Sequence, residues 1–239
     1  CSMVKMSKWL RKHWFWLAVN VAAAVPLLQL AYDFQQGNLG INPITEITNR
    51  TGIAALILLM LSLACTPTNI ILGWRQPLAV RKALGMWAFV YASFHLLNFV
   101  GLDYGFDVGL ILADGLPTKP YILVGLLAFL ILVPLAITSS KGWMKRLGSK
   151  WKPLHKLVYV AGMAAVVHFF WKAKAAEQVE PLLYGLLLTF LLVVRLPPVR
   201  RRIVAFRHKL VPPKAGRPAR PTTSRPAPTT ERSADAISQ

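Results

Sequence analysis

Six stretches of this chain are apolar enough, and nearly all long enough, to cross a bilayer. They run Trp14–Tyr32, Thr51–Leu72, Ala83–Leu102, Tyr121–Thr138, Pro153–Trp171 and Pro181–Leu196. A spanning helix takes about 20 mainly apolar residues. In hydrocarbon each backbone N–H and C=O must be paired inside the protein, which helices do within one segment. The expected fold class is therefore an all-α integral membrane protein, a six-transmembrane helix bundle. Thr66-Pro67 predicts a stop or kink near the end of the second stretch, because proline removes a helical donor. The sixth stretch is short, with Arg195 at its end.

Composition agrees with a membrane protein. A hydrophobic content of 55% and a mean hydropathy of +0.46 exclude an ordinary soluble domain. The first stretch follows Lys5, Lys8, Arg11 and Lys12, as a signal peptide would. It nevertheless carries Asn20, Pro26 and Gln29 and ends in no small-x-small cleavage pattern, so it reads as a retained anchor. The two cysteines, Cys1 and Cys65, give neither a disulfide framework nor a metal site.

The formal net charge of +19 would suit a nucleic-acid partner if it lay on one amphipathic face. It does not. Of the 28 Lys and Arg, 24 fall in the N-terminal segment, the second-to-third loop (Arg75, Arg81, Lys82), the fourth-to-fifth region (Lys141 to Lys156) or the chain from Arg195 onward. The other three loops hold Arg50, Lys119, Lys172 and Lys174, together with seven of the nine acids. Basic loops stay in the cytoplasm, so both termini are expected there, and no nucleic-acid partner is indicated.

The expected organisation is a cytoplasmic segment 1–12, a transmembrane domain 13–210 and a tail 211–239. That tail is rich in Pro, Arg, Thr and Ser with almost nothing to bury, which predicts disorder and contact with anionic lipid. A faint internal echo is also visible. "LACT" before "RKALGMW" resembles "LAIT" before "MKRLGSKW", as a duplicated hairpin would.

Three histidines stand out, because an ionisable side chain inside a span marks a functional site by default. His95 lies about 18 Å and His168 about 22 Å from the cytoplasmic starts of the third and fifth stretches, at about 1.5 Å per residue. The two stretches run in the same direction, so the depths match in the outer half of the bilayer. Neutral imidazole is a common axial ligand of haem iron, and His95 with His168 could clamp one flat macrocycle. Histidines bonded to helix neighbours are the alternative. His155 lies at the cytoplasmic edge, about 140° around an ideal helix from His168. Either the first turn is irregular or His155 serves another group; at its depth the third stretch offers Arg81 and Lys82 rather than histidine. His13 and His208 fit solvated flanks. Trp9, Trp14, Trp16, Trp143, Trp151 and Trp171 fit an aromatic belt. Arg81, Lys82, Lys145 and Arg146 could hold a flavin phosphate, although the positive-inside bias explains them equally well.

No dinucleotide-binding, P-loop, G-x-S-x-G or H-E-x-x-H motif occurs. A chain of this kind could carry electrons but not collect them unaided from a soluble nucleotide. A cofactor-free channel, transporter or scaffold with proton-binding histidines is the competing class. A self-sufficient ferric or quinone reductase is a third.

The segments "TGIAALILLMLSLACTP", "RKALGMWAFVYASFHLLNF" and "RLGSKWKPLHKLVYVAGMAAVVHFFW" resemble the MsrQ (YedZ) family of bacterial inner-membrane haem proteins, within the ferric-reductase-like transmembrane group. The resemblance covers roughly Lys8 to Leu210. It implies a carrier of haem b that also binds FMN. It also implies electron flow from the quinone pool or a cytosolic flavin reductase to MsrP, a periplasmic molybdopterin-dependent methionine sulfoxide reductase. The family's ligand histidines carry over onto His95, His155 and His168. Related NADPH oxidases and ferric reductases carry two histidine pairs and a fused flavin dehydrogenase domain. This sequence has neither the fourth intramembrane histidine nor that domain, so His155 remains a candidate ligand without a histidine partner and an external donor is required.

Overall fold

The computed structural model describes residues 2–174 and 177–210; the expected disordered tail 211–239 lies outside them. Every regular element among the described residues is helical. The helices are α1 (Ser2–Gln35), α2 (Pro43–Leu72), α3 (Gln76–Leu97), the single turns α4 (Val108–Leu110) and α5 (Leu116–Thr118), α6 (Tyr121–Ile137), α7 (Lys141–Leu147), α8 (Trp151–Lys156), α9 (Val158–Lys172), α10 (Val179–Val193) and α11 (Pro197–Leu210). α3 continues into a π-helical turn over Asn98–Asp103.

Two antiparallel hairpins form the centre: α2 packs along α3, and α6 along α9. Small side chains let the backbones approach, with Ala54, Ala88 and Ala161 all buried. One core joins Ala54, Leu58, Leu59, Leu84 and Tyr91 to Ala23 of α1; another joins Leu56, Met60 and Leu63 to Leu188 and Leu191 of α10. Outward faces are also apolar, as at Leu28, Leu130 and Leu186, which suits contact with lipid rather than water.

Of the six expected spans, four or five meet the length and composition of a membrane crossing. Four helical runs are long and apolar enough to cross a membrane: His13–Gln35, Pro43–Leu72, Gln76–Asp103 and Lys141–Lys172. Counting α10 and α11, bent by 77° to each other, as one span makes five. α6 has 17 residues and α10 has 15. At about 1.5 Å per residue they reach about 25 and 22 Å, short of a hydrocarbon core of about 30 Å. α6 is bounded by Pro120 and by Thr138, whose hydroxyl bonds back to Pro134 O at 2.6 Å; α10 gives way before Pro197-Pro198.

α2 does not stop at Thr66-Pro67. Pro67 has no N–H to give Leu63 O, its partner four residues back, and Arg195 Nη2 donates to that carbonyl at 2.5 Å instead. Tyr159 OH and its ring hold the same guanidinium, at 2.6 Å and 5.1 Å. A similar repair occurs at Pro26 in α1. There Tyr91 OH donates to Ala23 O at 2.8 Å and accepts from Leu27 N at 2.9 Å, bridging two groups that a regular helix would pair directly.

The bundle has two chemically different ends. One gathers the C-terminus of α2, the start of α3, α7, α8 and α11, with Arg81, Lys82, Lys145, Arg146 and Arg207. The other carries Asp33 and Glu46, both paired with Arg50 (2.5 and 2.7 Å), together with Asp103 and Asp107.

Candidate functional site

His95 on α3 and His168 on α9 meet at the acidic end, each pointing from its own hairpin. Their ring centroids are 6.1 Å apart and their planes nearly perpendicular, at 86°. His95 Nδ1 bonds to Thr48 O and His168 Nδ1 to Tyr121 O, each at 2.8 Å. A carbonyl can only accept, so both Nδ1 atoms carry the proton and both Nε2 atoms keep a lone pair. A backbone partner of this kind fixes tautomer and ring orientation for a metal-binding histidine.

The two halves of the site repeat each other. Each histidine lies 47 residues beyond the carbonyl it bonds. Four residues after each carbonyl comes a glycine with the ring lying over it. A Cβ on Gly52 would fall 2.9 Å from His95 Nδ1, and one on Gly125 would fall 2.6 Å from His168 Nδ1. Real Cβ contacts do not come so close, so each ring can seat only over glycine. Nearby, Asn98 Nδ2 donates to Thr51 Oγ1 at 3.4 Å, and Lys172 Nζ reaches Asn49 Oδ1. Thr48 Oγ1 is buried and has no partner among the described residues.

This arrangement fits a metal held between two imidazoles. Two metal–nitrogen bonds of about 2 Å plus two ring half-widths add to about 6 Å, which matches the observed centroid spacing. Among the described residues no cluster of three or more His, Cys, Asp or Glu is placed to hold a metal ion.

His155 is not brought to this pair. It lies on α8, separated from α9 by the turn at Leu157, so the first turn is irregular. Thr138 Oγ1 donates to Pro134 O and so accepts from His155 Nε2, at 3.0 Å. Its free lone pair is therefore on Nδ1, the reverse of His95 and His168. Its ring stacks on Trp151 at 4.1 Å, and Trp151 Nε1 donates to Thr138 O at 3.0 Å. Trp151 thus has a specific task beyond an aromatic belt. In the first hairpin, Thr66 Oγ1 faces Arg81 Nη1 at 3.5 Å, in the place where Thr138 faces His155. Arg81 lies within electrostatic reach of both His155 and Arg195. Lys82, Lys145 and Arg146 share this basic end, and Arg146 rests over the Trp143 ring at 5.4 Å.

Residues 51–166 match the family described as "Ferric reductase like transmembrane component". The chain is 46% identical over 188 residues to the protein-methionine-sulfoxide reductase heme-binding subunit MsrQ of Rhodospirillum rubrum, covering 78% of this chain and 89% of that protein. Against the MsrQ of Xanthomonas campestris pv. campestris strain 8004 the identity is 41% over 208 residues, covering 84% and 94%. Against that of Herminiimonas arsenicoxydans it is 41% over 177 residues, covering 73% and 81%.

The chain belongs to the MsrQ family. It is a membrane protein with several apolar helices, as that family and its own composition require. Thr48, Gly52, Tyr121, Gly125, Asn49 and Lys172 were not singled out from the sequence. A signal for the glycines was present: Gly52 and Gly125 stand 73 residues apart, as do His95 and His168. The echo between "LACT" and "LAIT" has a spacing of 72 residues, one short of that interval.

Proposed function

We propose that this chain is the membrane electron-transfer subunit of a methionine sulfoxide reductase system. In this reading it works with haem b and FMN in a bacterial inner membrane. Its donor is the quinone pool or a cytosolic flavin reductase, and its acceptor is a periplasmic molybdopterin reductase of the MsrP type. The observation that carries the proposal is the 6.1 Å approach of His95 and His168 with both Nδ1 atoms tied to backbone. A haem held there by His95 and His168 would supply a one-electron couple.

The chain's own residues then act as follows. Thr48 O and Tyr121 O hold the two imidazoles in the neutral tautomer that presents Nε2. Gly52 and Gly125 leave room for the rings, and the apolar walls of α3 and α9 exclude water. At the basic end Arg81, Lys82, Lys145 and Arg146 hold a flavin phosphate by charge-assisted hydrogen bonds. His155, with its reversed tautomer, serves that side, next to the flavin or at a second haem. α6 and α10 complete six crossings with local thinning of the bilayer, both termini lying in the cytoplasm. The acidic loops face the periplasmic acceptor.

The test is haem-to-protein stoichiometry with an absorption spectrum and flavin extraction on the purified protein. One low-spin haem is expected, lost in His95→Ala and in His168→Ala. A colourless protein after haem supplementation, or full haem retention in either variant, overturns the reading.

A further inference from the structure

We infer that α11 is an interfacial anchor that binds the anionic phospholipid headgroups of the leaflet at the basic end. Its sequence places Val199, Ile203, Phe206 and Leu210 at i, i+4, i+7 and i+11, one narrow apolar stripe along a helix. Val204 widens the stripe beside Ile203. Arg200, Arg201, Arg202, Arg207, His208 and Lys209 supply six basic side chains, and Pro197–Leu210 contains no acid.

Three observations orient the helix. It turns 77° away from α10, so it lies across the end of the bundle instead of prolonging a span. Arg207 Nη1 fastens it there, donating at 2.9 Å to both Ile70 O and Asn69 O in the last turn of α2, the latter also accepting from Gly73 N at 3.0 Å. The apolar stripe then divides. Val199 and Ile203 are half-buried, whereas Phe206 and Leu210 are 65% and 66% exposed. The stripe that starts against protein thus runs past the edge of the bundle at the level of the basic loops, flanked by Arg202 and Lys209. Apolar side chains dipping beside a row of cations suit acyl chains below and phosphate above.

A protein partner would also need complementary acids, but an anionic leaflet meets the charge without any particular shape. Each basic side chain near such a surface contributes roughly a five-fold factor in affinity, screened by salt.

The full chain can be tested in nanodiscs of phosphatidylcholine alone and of phosphatidylcholine with phosphatidylglycerol, following hydrogen exchange of 198–210. Exchange should slow several-fold in the anionic discs, and the difference should shrink at high salt. Arg202→Gln with Lys209→Gln should remove most of the lipid dependence while leaving α2 and α3 as protected as before. Equal exchange in both lipids at low salt overturns the proposal, as does lipid-dependent slowing that survives the double substitution. Slowing that requires an added soluble protein assigns the surface to a protein partner and also overturns it.

Discussion

His168 occupies the volume that a side chain at position 125 would fill. A methyl carbon on Gly125 would lie 2.6 Å from Nδ1 and 2.8 Å from Cε1 of that ring. The same holds at 2.9 and 3.0 Å for Gly52 beneath His95. Glycine at these positions is therefore a condition for the two imidazoles to hold their backbone bonds and face each other.

Gly125→Ala should push His168 off Tyr121 O and lower haem content or convert the spectrum from low spin to high spin. Gly52→Ala should do the same less severely, since its clash is smaller. Wild-type spectra in both variants, measured on purified protein of matched concentration, would show that the rings do not rest on these glycines.

Arg195 repairs a proline in another helix, which yields a double-mutant cycle. Arg195→Met leaves Leu63 O unpaired and should cost about 1–3 kcal/mol, the usual price of a buried unsatisfied acceptor. Pro67→Ala restores an N–H at position 67, so Leu63 O no longer needs the guanidinium. Arg195→Met should therefore be less damaging in the Pro67→Ala background than in wild type. Thermal unfolding of the four proteins in one detergent reads the coupling, and strict additivity would separate the two residues.

Tyr91 makes the corresponding repair between helices. Tyr91→Phe keeps the buried ring but withdraws both bonds to α1, leaving Ala23 O and Leu27 N open beside Pro26. A loss of about 1–3 kcal/mol is expected, with faster protease cleavage within α1 ahead of α3. Unchanged stability and cleavage would mean that α1 is held by its apolar contacts alone.

These repairs explain what the sequence could and could not disclose. Apolar length and the segregation of Lys and Arg to alternate loops made an all-helical membrane bundle legible. Direction and depth brought His95 and His168 to one level. The stop at Pro67 failed because a local rule about a missing N–H could not foresee an arginine 128 residues later in the chain. The lengths of α6 and α10 were hidden for a similar reason: both are apolar throughout, so composition marks them, but bounding prolines and Thr138 make them shorter than the other spans. The supporting shell of the histidines was hidden because its acceptors are backbone carbonyls, which any residue type provides.

His155 should separate from the other two histidines in experiment. Its Nε2 is engaged by Thr138 and its ring by Trp151. His155→Ala is expected to leave the low-spin signal of the His95–His168 haem in place while slowing its reduction from the basic side or lowering flavin content. Loss of that low-spin signal itself would mean that His155 belongs to the same haem. If haem content, flavin content and reduction rate were all unchanged, it would be an interface residue only.

In the proposed role, the two unlike ends of the bundle set a direction of electron flow. The histidine pair sits toward the end that carries Asp33, Glu46, Asp103 and Asp107, while Arg81, Lys82, Lys145 and Arg146 lie at the other. A reduced flavin or its phosphate is anionic and gains from the basic end. In that proposal the acceptor docks near the histidine pair, beside the loops Gly101–Pro120 and Lys172–Glu180. A flavin on one side and a haem near the other would split the crossing into two shorter steps. Charge reversal of Arg81, Lys82, Lys145 and Arg146 should therefore slow haem reduction by the donor and leave haem oxidation by the acceptor intact. Reversal of Asp103 and Asp107 should do the opposite. Inside-out vesicles should be reduced by a cytosolic donor faster than right-side-out ones, and equal rates would reverse or abolish the assigned direction.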